Sequence, residues 1–294
     1  MFSLRKPPGV TQEWHAVSSN EQRVRALVVR REELPGSASR ANRPAPGILW
    51  IHGGGYALGM PRMVYMSPAI NLVSQAGAVL VSPAYALSPR APYPAALEDC
   101  VATLAWMRDH ATELGIRPDQ LVVGGESAGG GLAVATCLWA RDHGTANVAF
   151  QMPIYPMLDC EDTPSSAHNR APVWNTRRNH LGWCLYLRGL DRNMPVPPYA
   201  SPARAYMPPA DPSGLAGMPP CYTYVGDAEP FLDETLAYVR ALRAAGVPAV
   251  CDIYPGWYHA YDMMHPENPH SRQAAARLVA AFRAARNGCF VSRG

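Results

Sequence analysis

Apolar residues along the chain fall into short runs separated by longer periodic stretches. Residues 14–17 and 24–29 have strand character, and Ser19-Asn20-Glu21 between them reads as a turn, so an edge hairpin is predicted. Gly47-Ile48-Leu49-Trp50-Ile51 is a continuous apolar run, as a strand buried on both faces should be. Residues 78–81, 121–123, 148–154, 221–225 and 249–254 read as further strands. Helical periodicity occupies 66–76, then 97–114 ending at Gly115, 131–143, 229–245 ending at Gly246, and 270–286. Strands alternating with helices predict right-handed βαβ units and a mainly parallel sheet with helices on both faces.

Three stretches depart from that alternation. Residues 1–9 read as a loose arm, and 35–46 as a polar loop with Gly and Pro. From Tyr155 to about Pro208 the pattern is polar and rich in Pro, Arg and Asn, with scattered Trp174, Trp183, Tyr186 and Tyr199 and one helical stretch at 180–188. An insertion of that length with aromatics is expected to form a cap over a site rather than a disordered loop.

Composition narrows the class. A length of 294 residues and 48% apolar content suit one large α/β domain with a substantial core. Net charge is +3 without a long basic run, which argues against a nucleic-acid partner. The first residues lack an apolar stretch of signal-peptide type, and no segment is long and apolar enough to span a bilayer. Seven cysteines with no C-x-x-C pair fit reduced thiols, so a cytoplasmic location is expected and no metal site.

The candidate chemistry sits where strands end. Residues 121–131 run from an apolar strand through Gly125-Glu126-Ser127-Ala128-Gly129 into a helix, the nucleophile-elbow pattern. Glycines at such a turn permit backbone angles and close approaches that a Cβ resists. His52-Gly53-Gly54-Gly55 follows another strand, and its adjacent N–H groups can form a nest for negative charge. A serine needs a base, and the base needs an acid to fix its tautomer. His259, His265 and His270 are the downstream bases, and a position just past the last strand favours His259. Asp227 and Glu229 both follow the strand ending at Val225, and spacing leaves the choice open. Glu229 before Pro230 could equally be a helix cap.

In combination these segments resemble the hormone-sensitive-lipase-like (family IV) branch of α/β-hydrolase carboxylesterases, from about residue 47 to the C-terminus. The shared segments are His52 to Gly55, Gly125 to Gly130, Tyr93 to Asp99, Tyr155 to Asp159, Glu229 to Glu234 and Tyr254 to Tyr261. The resemblance implies an α/β-hydrolase fold with a cap from about 1–20 and 159–208, and Glu229 rather than Asp227 as the acid beside Ser127 and His259. It implies an oxyanion hole from Gly54, Gly55 and Ala128, no cofactor, and a homodimer through an edge strand such as 249–254. Glu126 stands where Asp or Thr is usual, and Tyr85-Ala86-Leu87-Ser88-Pro89-Arg90 has Ala86 where the family commonly has arginine. The implied activity is hydrolysis of short- to medium-chain acyl esters of small molecules. Amide, lactone or carbamate hydrolysis on the same residues and a non-catalytic small-molecule receptor are the alternatives.

Overall fold

The computed structural model describes residues 4–19, 22–32, 44–207 and 212–288. Asn20 and Glu21 of the expected turn, most of the 35–46 loop, Pro208 and Cys289 lie outside them. The strands are β1 (Val10–Ser19), β2 (Gln22–Arg31), β3 (Ala45–Ile51), β4 (Val79–Pro83), β5 (Ile116–Glu126), β6 (Val148–Ile154), β7 (Cys221–Gly226) and β8 (Ala249–Tyr254). The helices are α1 (Ile70–Ser74), α2 (Ala95–Asp109), α3 (Ala111–Leu114), α4 (Ala128–His143), α5 (Pro164–Ala167), α6 (Thr176–Leu187), α7 (Leu232–Ala244), α8 (Tyr261–Met264) and α9 (Pro269–Gly288).

One sheet runs β1-β2-β4-β3-β5-β6-β7-β8. β1 and β2 are antiparallel, β2 meets β4 antiparallel, and every later pairing is parallel. Alternation along β5 divides the core. Leu121 and Val123 face the layer of α2, α4 and α7, and Val122 faces the layer of α1 and α9 with Trp50, Leu278 and Phe282. Central strands covered on both faces must be apolar throughout, which is why their sequence shows runs rather than alternation. α4 lies against β5 and β6 with every residue from Ala128 to Leu138 buried, so its apolar pattern goes round the helix over that stretch.

Several boundaries differ from the sequence expectation for physical reasons. The helix expected over 66–76 shortens to α1, because Ser67 turns its hydroxyl to accept the Ala69 N–H and to meet the buried Glu126 carboxylate. The helix expected over 97–114 breaks at His110 into α2 and α3 before Gly115 closes it in the left-handed conformation at φ 64°. α6 begins earlier than the expected 180, at the Asn175 cap, whose side chain accepts the Arg178 N–H. α7 begins at Leu232, so Glu229 and Pro230 precede the helix and Glu229 does not cap it. Residues 10–19, expected to help cap the site, pair along their full length with β2 as an edge strand of the sheet.

Helix α4 can cross so close to the sheet only because Gly129 has no side chain; a Cβ there would lie 2.1 Å from the Ile51 carbonyl oxygen. Gly129→Ala should therefore cost roughly 2–4 kcal/mol of stability through forced backbone displacement, read as a lower urea midpoint.

Candidate active site

β5 ends at Glu126 and α4 begins at Ala128, so the chain reverses on one residue. That residue, Ser127, takes φ 58° and ψ −124°, outside the regions open to most L-residues. Its backbone is held from three sides. Its N–H donates to Ile154 O, and its carbonyl accepts the N–H groups of Gly131 and Met157, all at 3.0 Å. Gly125 makes the turn possible, since a Cβ there would lie 2.4 Å from Ile51 O and 2.5 Å from Gly129 O. The strain thus fixes the serine side chain at the end of the strand instead of letting it relax into the helix.

His259 Nε2 lies 2.9 Å from Ser127 Oγ, and His259 Nδ1 lies 2.5 Å from Glu229 Oε2. The other Glu229 oxygen accepts the Gly226 N–H at 3.0 Å, which turns the carboxylate toward the β8 side. All three side chains are buried. A carboxylate facing Nδ1 makes that nitrogen the donor, so Nε2 is free to accept the serine proton. The three come from the loops after β5, β7 and β8, which parallel pairing brings to one end of the sheet. Tyr155 and Phe231 pack on the imidazole with ring centroids at 4.9 Å each, near perpendicular.

The other candidates are engaged elsewhere. Asp227 accepts the Gly256 N–H at 2.6 Å and is exposed. His265 Nε2 meets Tyr258 OH, and His270 Nδ1 accepts the Trp257 indole N–H. The glycine loop lies against the elbow: a Cβ on Gly53 would come within 3.2 Å of Ser127 Cβ. Gly54 and Gly55 have φ 120° and 59°, which suit glycine, and the Gly54 carbonyl accepts the N–H groups of Ala57 and Leu58. His52 supports this loop. Its Nδ1 is 2.8 Å from Gly53 O, its ring stacks on Tyr85 at 4.3 Å, and burial pushes its pKa down to about 4.

Three supports were not legible in the sequence. Buried Asp262 accepts the Tyr155 and Tyr224 hydroxyls and so fixes the ring that packs on His259. Glu126 is buried beneath the elbow against Ser67, and burial raises its pKa to about 8. Trp174 of the insertion lies on Gly55, where a Cβ would come within 2.0 Å of its ring, and stands 6.4 Å from the His259 ring. The nearest sequence signal was the clustering of Tyr and Asp around the late histidine loop, which periodicity does not interpret.

A family profile described as the alpha/beta hydrolase fold matches residues 48–263. The esterase LipI of Mycobacterium tuberculosis is 32% identical over 246 residues, covering 83% of this chain and 74% of the relative. An acetyl-hydrolase of Streptomyces hygroscopicus is 34% identical over 242 residues, covering 81% and 75%. Among solved structures, a bacterial heroin esterase superposes with TM-score 0.84 at 31% identity, covering 96% of this chain and 86% of that one. The esterase LipW from Mycobacterium marinum gives TM-score 0.83 at 32% identity, covering 94% and 82%. The chain belongs to the α/β-hydrolase fold family, in its hormone-sensitive-lipase-like branch.

Folded His52 stays neutral down to about 4, whereas a histidine in the unfolded chain takes its proton near 6.5. The unfolded state therefore binds more protons below 6.5, and stability falls as the pH drops from 6.5 to 4, by up to about 3 kcal/mol from this group. His52→Asn, which keeps a donor for the Gly53 carbonyl, should narrow the difference in thermal midpoint between neutral and mildly acidic buffer relative to wild type.

Proposed function

We propose that the protein is a serine carboxylesterase that hydrolyses short- to medium-chain acyl esters through an acyl-enzyme. Ser127 is the nucleophile, His259 the base and Glu229 the acid that orients it. The observation that carries this reading is the continuous buried path from Glu229 Oε2 through His259 to Ser127 Oγ, with both links at hydrogen-bond length. The named esterases and acetyl-hydrolase among its relatives support an acyl ester as substrate.

The chemistry follows from the geometry. His259 Nε2 takes the Ser127 proton as Oγ attacks the ester carbonyl, and the resulting imidazolium is stabilised by the Glu229 carboxylate. The N–H groups of Gly54, Gly55 and Ala128 receive the tetrahedral oxyanion, and each such donor is typically worth ~10²–10³ in turnover. The intermediate collapses, the C–O bond to the alcohol breaks, and His259 returns its proton to the leaving oxygen. Water then enters, gives a proton to His259 and adds to the acyl carbon; the acyl C–Oγ bond breaks, and His259 returns the proton to Ser127 Oγ as the acid leaves.

On this reading the chain is a single domain with residues 159–208 as its cap. Trp174 and the buried Trp183 and Tyr186 support an apolar surface above the glycine loop. The proposed location is the cytoplasm; no helix of the described residues is long and apolar enough to cross a membrane. The reading includes no nucleic-acid partner and no membrane span. A homodimer would form through edge strand β8, whose Val250 and Ile253 side chains are about half exposed.

Turnover of p-nitrophenyl acetate and butyrate by the purified protein tests the assignment. Ser127→Ala should lower kcat on the order of 10⁴-fold or more, and Glu229→Gln on the order of 10²–10⁴-fold. Asp227→Asn should stay within roughly threefold, since the Asp227 side chain is exposed and bonds the Gly256 N–H rather than the imidazole. A wild-type protein that hydrolyses neither ester and is not labelled by an organophosphonate would overturn the reading.

A further inference from the structure

A strained turn in the insertion holds one aromatic ring against the reacting groups. Val173 takes φ 66°, an outlier for a β-branched residue, and the Trp174 N–H donates across it to Pro172 O at 2.8 Å. A three-residue turn closed at positive φ is the rare and strained form. Other bonds keep it in place. An Arg178 guanidinium N–H donates to Val173 O, and the Trp174 indole N–H donates to Oδ1 of the buried Asn179 at 3.3 Å. The benzo edge of the indole is packed between two glycines. A Cβ on Gly55 would lie 2.0 Å from Cη2, and one on Gly182 of α6 would lie 3.3 Å from Cζ2. Trp174 nevertheless keeps part of its surface accessible.

The position of the ring follows the directions around the reacting carbon. In the tetrahedral intermediate Ser127 Oγ takes one of four. The oxyanion takes a second, toward the N–H groups of Gly54, Gly55 and Ala128. The leaving oxygen takes a third, because His259 Nε2 must protonate it. Trp174 packs on Gly55, and its ring centroid stands 6.4 Å from that of His259 at an interplanar angle of 49°. The indole thus borders the two groups that serve the oxyanion and the leaving alcohol. The acyl chain has the fourth direction.

We propose that Trp174 selects the alcohol half of the ester: its indole packs on a flat ring in the leaving alcohol, so esters of aromatic alcohols are preferred over esters of saturated-ring alcohols of similar size. The proposal rests on the esterase reading and narrows its substrate class. A flat ring gains stacked or edge-on contact with the indole, whereas a puckered ring meets it at fewer atoms. The turn at Val173 and the bond to Asn179 hold the indole before substrate arrives, so little ordering remains to be done on binding.

The test compares kcat/KM for benzyl acetate and cyclohexylmethyl acetate, each normalised to its hydroxide rate. The saturated ring is the more apolar of the two, so burial alone would favour it. The wild type should instead favour the benzyl ester by roughly three- to tenfold. Trp174→Ala should bring the ratio to one or below, and Trp174→Phe, which restores a ring, should recover most of the preference. p-Nitrophenyl butyrate and acetate share an alcohol, so their ratio in Trp174→Ala should stay within about twofold of wild type. A wild-type benzyl preference at or below one would overturn the proposal whether or not the variants fold. An unchanged preference in Trp174→Ala would also overturn it, as would an acyl-chain ratio that moves as far as the alcohol ratio. Absence of turnover on all four esters would remove the esterase reading itself, and this proposal with it.

Discussion

The backbone of Ser127 is the constraint on which the rest depends. A residue with a side chain is held at φ 58° and ψ −124° between a strand and a helix. Nothing local favours that conformation, so it persists only because neighbouring elements bond its N–H and carbonyl groups. Ile154 at the end of β6, Met157 just beyond it and Gly131 in α4 supply those bonds. The parallel pairing of β5 with β3 and β6 is therefore what sets the serine in place. The glycines are the second half of the arrangement, since at Gly125 and Gly129 a single added carbon would collide with Ile51 O.

The hydrogen bond between His259 and Glu229 depends on the same sheet. β7 and β8 run in register from Cys221↔Ala249 to Gly226↔Tyr254, so their following loops emerge side by side. A Cβ at Gly226 would lie 2.1 Å from the Trp257 carbonyl oxygen, and the Ala228 N–H donates to that same oxygen. This close approach places Asp227 toward Gly256 and leaves Glu229 to turn inward. Two acids two residues apart thus differ in burial and in partner, and the imidazole meets only one.

That contrast also marks where sequence reading ran out. The strand–helix alternation is a local signal, and the sheet and its flanking helices follow from it. The elbow, the glycine loop and the late histidine are each short motifs at strand ends, and the structure brings their residues together. Which of Asp227 and Glu229 meets the imidazole depends on Trp257, about thirty residues further on, and spacing alone does not show it. The same holds for Ser67 against Glu126, and for Asp262 with the Tyr155 and Tyr224 hydroxyls. Such pairings cost nothing in local pattern and appear only when distant strands are in register. The helix expected over 66–76 failed for a related reason: Ser67 is committed to a buried acid rather than to a helical turn.

The anchoring of the insertion carries a further consequence. Where it leaves β6, the buried Glu234 carboxylate accepts the N–H groups of Leu158 and Asp159. Arg204, near its other end, is paired with Asp159, and Ser201 bonds to Leu158 and Cys160. A flap fastened at both roots cannot lift off the sheet as one body without breaking these bonds, so any movement of the insertion is confined to the stretch between its roots.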